Sequence, residues 1–166
     1  MYRKSLIFVV LVVALSAVPT ALGVAPIRTV IEPEEPILIP AGTGCAFDVL
    51  EELGENARIT FTEFSDGRRR TQAHGDVVLT NLDTEQSIDW KIRWNAWETS
   101  AVFEASGRLL FSFFPGDQGP FGTVSENGAL FGLVGHTVIT FDADTGAITS
   151  FSLDGQAIDI CPLLTS

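Results

Sequence analysis

Cys45 and Cys161 are the only cysteines in the chain, and they stand at the two ends of one strand-rich segment. If they are bonded, residues 116 positions apart must come within about 7 Å, and any fold that holds its first and last strands apart is excluded. Closing so long a loop stabilises a fold by roughly 4 to 5 kcal/mol in the chain-entropy account. Whether they bond depends on the compartment, and the amino terminus speaks to that.

Residues 1–23 have the three parts of a signal peptide. Arg3 and Lys4 give the positive start, Leu6 to Val18 the apolar stretch, and Ala21-Leu22-Gly23 a small-x-small cleavage site. The apolar stretch falls short of the about 20 residues that span a bilayer, and no second one follows. The expected product is secreted, extracellular and without a permanent membrane anchor. In that setting a lone cysteine pair reads as a Cys45–Cys161 disulfide rather than as two reactive thiols.

Cleavage removes two of the ten basic residues and none of the 21 acidic ones, leaving a net charge of −13. Binding a phosphate backbone requires clustered Lys and Arg, so nucleic acid is not an expected partner. The only basic run, Arg68-Arg69-Arg70, reads as a solvated turn.

Residues 24–44 contain Pro26, Pro33, Pro36 and Pro40. Proline fixes its own φ and pushes its predecessor to extended geometry, so an extended arm is predicted, with Ile37, Leu38 and Ile39 able to lie against the domain. From Cys45 to Ser166 the pattern is all-β. Short apolar or alternating runs are separated by Gly, Asp, Asn and Ser clusters about every ten residues. The clearest strand is Ser87 to Ala96, in which Ile88, Trp90, Ile92, Trp94 and Ala96 alternate with polar residues and put the apolar bulk on one face.

Further strands are expected at 45–50, 58–64, 76–82, 98–105, 108–114, 129–141, 147–153 and 156–161. Turns fall at Asp66-Gly67, Asn81 to Thr84, Ser106-Gly107, Glu126 to Gly128, Asp142 to Gly146 and Asp154-Gly155. Leu50 to Leu53 is short enough for one helical turn. Short links imply an antiparallel up-and-down meander, and a bond between its ends implies that the sheet curls. The expected fold is a barrel of roughly eight strands, with a β-sandwich as the alternative.

Cys45-Ala46-Phe47-Asp48-Val49, the segment His74 to Thr84, and the close Gly155 to Cys161 resemble small secreted proteins of actinobacterial type that carry a cysteine near each end of a β domain. The resemblance covers nearly all of Cys45 to Leu163. It rests on strands, turns and cysteines, and it implies no catalytic residue, cofactor or substrate.

Among candidate binding residues, Trp90, Trp94, Phe103 and Phe111 would either line an apolar cavity or fill a core. The Gly-rich link Pro115 to Gly122 carries Phe121, placed to act as a lid or contact surface. Asp142-Ala143-Asp144-Thr145-Gly146 lacks the third oxygen ligand and closing glutamate of a calcium loop. His74, read as a turn residue, and His136, read as a surface residue, fit no metal or catalytic signature, and no nucleophile elbow occurs. Neither a metal nor another cofactor is expected. Three readings stay open. The first is a non-enzymatic barrel that binds a small apolar ligand or, at 115–122, an extracellular protein. The second is an enzyme of the cyclase-like or dirigent-like barrel kind acting on a hydrophobic substrate, and the third is a filled structural protein. An enclosed cavity bearing an inward carboxylate or histidine would favour the enzyme.

Overall fold

The computed structural model describes residues 25–31 and 35–165; the expected signal peptide and residues 32–34 of the arm lie outside them. The described chain is all-β apart from one 3₁₀ turn, Cys161–Leu164. Its backbone is an antiparallel meander of long strands: β5 (Arg69–Asn81), β6 (Ser87–Glu98), β7 (Val102–Phe113), β10 (Ala129–Phe141) and β11 (Ile148–Asp159). A two-stranded hairpin, β8 (Gln118–Gly119) with β9 (Gly122–Thr123), sits in the link between β7 and β10.

Two short strands share one edge of β5. β4 (Arg58–Glu63) pairs with Arg69 to His74, and β3 (Val49–Leu53) pairs with Val77 to Asn81. The loop between them crosses Gly75, where a Cβ would lie 2.3 Å from the Ala57 backbone. Leu50 to Leu53, short enough for one helical turn, is strand instead. Val49, Glu51 and Leu53 alternate inward with a period of two, which pairing to β5 enforces. Where it is described, the arm is extended over two edge strands, β1 (Ile27–Ile31) on β4 and β2 (Ile37–Ile39) on β3 with Ile39 buried, and it turns rather than extends at 41–44.

The most consequential departure from expectation lies at three glycines. Ser106-Gly107 and Asp154-Gly155 are mid-strand positions rather than turns, and Gly135 stands between them in register: Gly107 opposes Gly135, and Gly135 opposes Gly155. All three have positive φ, at 126°, 136° and 154°. At each, a Cβ would lie 2.0 to 2.2 Å from a carbonyl oxygen of the neighbouring strand. Across this row the sheet folds. Phe103 and Phe111, on the same strand, have ring centroids 5.8 Å apart, whereas eight residues of straight strand span about 26 Å.

The fold creates two cores from one sheet. On the inside of the bend, Phe103, Ala105, Leu109, Phe113, Phe131, Leu133 and Ile139 pack together. On the opposite face, the folded-over halves of β7 and β10 lie against β5 and β6, burying Trp90, Ile92, Val77, Leu79 and Leu130 with Ile160 and Leu164. The contact is close: a Cβ at Gly132 would sit 2.2 Å from the Trp90 indole. Each fully buried large side chain contributes about 1.5–3 kcal/mol, so both cores depend on the bend.

Cys45 and Cys161 are bonded, with Cα atoms 5.6 Å apart. The bond joins the segment entering β3 to the chain leaving β11. Nearby, Asn81 Nδ2 donates to the Leu164 carbonyl at 3.1 Å, fixing the 3₁₀ turn to β5. The eight-strand barrel is not completed by hydrogen bonds: among the described residues no ladder joins β11 to β1, β3 or β4. Folding at the glycine row brings the ends together, and the disulfide holds them.

Gly107→Ala should cost about 3 kcal/mol or more, because the β6 backbone blocks the new methyl. Gly146→Ala, also at positive φ but with open space around it, should cost only about 1 kcal/mol. Denaturant unfolding of the two variants measures the difference.

Candidate functional site

Four of the five aromatic residues singled out from the sequence are packed among other side chains. Trp90 lies in the core between the sheet halves, Phe103 in the core inside the bend, and Trp94 and Phe111 at its margins. Trp94, Phe103, Phe111 and Phe113 form a continuous chain of ring contacts with centroids 4.9 to 6.2 Å apart. Trp90 meets Gly132 on one side, and the Arg108 guanidinium stands 3.9 Å from its ring centroid. This cation–π stacking offsets part of the cost of taking Arg108 out of water. The Trp90 and Arg108 ring and guanidine donors, Nε1 and Nε, are buried without a hydrogen-bond partner.

Phe121 is different. It is 77% exposed, although it belongs to a well-fixed loop. The fixing group is Asp117, which is buried. Its carboxylate accepts from the Phe114 amide at 2.8 Å and the Ile148 amide at 3.0 Å, tying the loop to the start of β11. Backbone bonds from Val124 N to Asp117 O and from Gly116 N to Val124 O close the loop's base. Phe131 meets the Phe121 ring edge-on at 5.5 Å. Phe121 overhangs an open cleft of about 280 Å³, lined also by Pro120, Phe151, Leu153, Gly155 and Ala157. The sequence singled out Phe121 but not Asp117; its signal was an aspartate after Pro115-Gly116, in a position to cap a turn.

A second cleft, of about 290 Å³, lies at the β4–β5 hairpin between Glu63, Phe64, Arg68, Arg69 and Glu98. The basic run is only partly the turn expected of it, since Arg69 and Arg70 begin β5 and alternate between its faces. Arg69 donates to Glu98, which also accepts from the Thr71 hydroxyl at 2.8 Å. Arg70 donates to Asn95 Oδ1 at 2.6 Å, and Arg68 and Arg70 both stand over the Trp97 ring. The Arg68 backbone amide, and after it the Arg68 guanidinium, donates to Asp66 and holds that carboxyl below the usual aspartate range.

His136 is exposed as expected, with Ser106 at 3.1 Å and Glu104 at 3.6 Å, while His74 lies mid-strand on β5 rather than in a turn. Asp142 caps its own turn: its Oδ1 accepts from the Thr145 hydroxyl and from the Thr145 and Asp144 amides. Those bonds, the Thr145 hydroxyl foremost, hold its carboxyl below the ordinary aspartate range. Among the described residues no group of three or more His, Cys, Asp or Glu is arranged to hold a metal ion.

The inward carboxylate is Glu51. It stands between Ile37 and Leu79 in the sheet, and burial pushes it up to about 7. It lines neither cleft. Its alternation with Val49 and Leu53 was the signal that the helical reading obscured.

No family model, curated protein or solved structure matches this chain.

Because Glu51 titrates higher when folded than when unfolded, its penalty is absent below about pH 4.5, grows through the interval to 7, and is complete above it. Glu51→Gln should therefore leave stability near pH 4.5 unchanged and raise it by about 2 kcal/mol at pH 8, allowing for the carboxylate's partial exposure. Urea unfolding at the two pH values reads this directly.

Proposed function

We propose that this is an exported, non-enzymatic binding module that engages an extracellular protein partner through the Phe121 loop. The observation that carries the reading is a large apolar ring held out in solvent by a buried anchor, Asp117. An aromatic side chain fixed in advance loses little conformational entropy on binding, which is why such residues dominate interface energies. The cleft beneath it, floored by Phe151, Leu153 and Ala157, can receive an apolar side chain from the partner. The disulfide suits an oxidising compartment, and among the described residues no helix is long and apolar enough to cross a membrane.

Carriage of a small apolar ligand inside the protein has less support, because the aromatic residues that would line the cavity pack on one another. The barrel-enzyme reading has one group in its favour, Glu51, whose carboxyl titrates near neutrality. That group adjoins neither cleft.

A photo-reactive benzophenone side chain at position 121, with another at the exposed Leu82 as control, tests the reading in the protein's own secretion medium. It expects one discrete protein adduct from position 121 alone, and Phe121→Ala should weaken the isolated complex by about tenfold or more. The same adducts from both positions would overturn it, as would a small molecule retained by the secreted protein in native mass spectrometry.

A further inference from the structure

The arm gathers the exposed apolar side chains. Among the described residues five of the nine exposed large apolar ones, Ile27, Val30, Ile31, Ile37 and Leu38, stand on its two strands, and every residue of β1 is exposed. β1 pairs with β4 on one side, and among the described residues no strand pairs with it on the other. An open edge of that kind is a template for another chain, which proteins usually guard with Lys, Pro, a bulge or an inward charge. Ile27-Arg28-Thr29-Val30-Ile31 carries one arginine, neither Lys nor Pro, and its ladder to β4 runs without a register shift.

What distinguishes this edge is its symmetry. The pattern Ile-x-Thr-x-Ile reads the same from either end. Opposite residues of an antiparallel pair share a face, so a two-fold axis perpendicular to the sheet must pass through one residue's rung. Only Thr29 as that residue engages all five positions. Ile27 then meets Ile31 of a second copy, Thr29 meets Thr29, and Arg28 meets Val30. Facing isoleucines remove apolar surface from water, Thr–Thr pairs are favourable across strands, and no like charges stand directly opposite. Moving the axis to residue 28 would oppose two arginines. The face that carries Ile27, Thr29 and Ile31 continues in register to Ile59 and Phe61 of β4, neither fully buried. Around the axis these residues extend one apolar surface from copy to copy.

We infer that β1 pairs antiparallel with β1 of a second copy, making a two-fold dimer with one sheet running through both. An unrelated strand could also lie along this edge, but its pairing would not call for a pattern symmetric about Thr29. The net charge of −13 makes the copies repel at long range, while β1 itself holds no carboxylate. A five-residue ladder is a small interface, so the dimer is weak and reversible. It tightens as salt screens the two copies. Because each β1 edge is consumed by the other, assembly stops at two. No residue of β1 lines the Phe121 cleft, so this inference and the proposed partner surface stand or fall separately.

Sedimentation velocity of the mature protein at about 5 to about 500 μM in about 0.3 M salt tests the inference, with a monomer–dimer Kd of about 100 μM or tighter expected. Position 30 tests the register, because Val30 is 48% exposed and faces Arg28 of the other copy in this pairing. Val30→Glu should tighten the dimer by about fivefold, and Val30→Lys should weaken it by about fivefold. Net charge alone predicts the reverse order, since Glu adds to the −13 and Lys subtracts from it. An unchanged thermal midpoint at low concentration reports that both variants keep the fold. A monomer at every concentration, which would leave the edge to a different partner, overturns the inference. So does assembly past the dimer, equal dimerisation of the two variants, or the reverse order.

Discussion

The structure depends on what is missing at Gly107, Gly135 and Gly155. With no Cβ at these registered positions, neighbouring backbones approach within distances that any other residue would block. Glycine also reaches positive φ without steric cost, so the three strands bend together rather than breaking into six. One sheet thereby becomes two facing halves with two cores. A flat meander of the same strands would leave one side of each apolar row in water. Bends of this kind, placed at glycines in register, are a recognised way of turning a sheet through a corner.

The disulfide acts at the next level. It does not create the fold, since the bend already brings the chain entering β3 near the chain leaving β11. By linking residues 116 apart it removes much of the unfolded chain's freedom. It also stands where a complete barrel would have a ladder between β11 and the edge formed by β1 and β2. A cross-link at that seam leaves the edge of β11 beside the Phe121 cleft, so architecture and proposed binding surface have a common origin.

Much of this was legible in the sequence. Alternation from Ile88 to Ala96 marked β6, the aspartate- and glycine-rich clusters marked the turns at 66–67, 81–84 and 142–146, and the cysteine spacing required the ends to meet. The two misplaced turns share one cause. Gly107 and Gly155 each follow a small or polar residue, and a turn and a mid-strand bend use the same glycine chemistry. Only the register across three strands separates them, and register is a long-range property. The arm's described stretches at 27–31 and 37–39, by contrast, are extended as read, because proline acts on its own backbone and its neighbour's. At the surface, Phe121 was visible as an apolar residue in a glycine-rich link, while Asp117 was not, because its partner amide at Ile148 lies 31 residues away.

Nuclear Overhauser contacts between ring protons of Phe103 and Phe111, and between the Trp90 indole and the Gly132 α-protons, test the folded sheet most directly. The account predicts both sets, with the Gly132 α-protons shifted by the indole ring current. Rings of Phe103 and Phe111 with no mutual contact, in a protein whose cysteines are bonded, would contradict it.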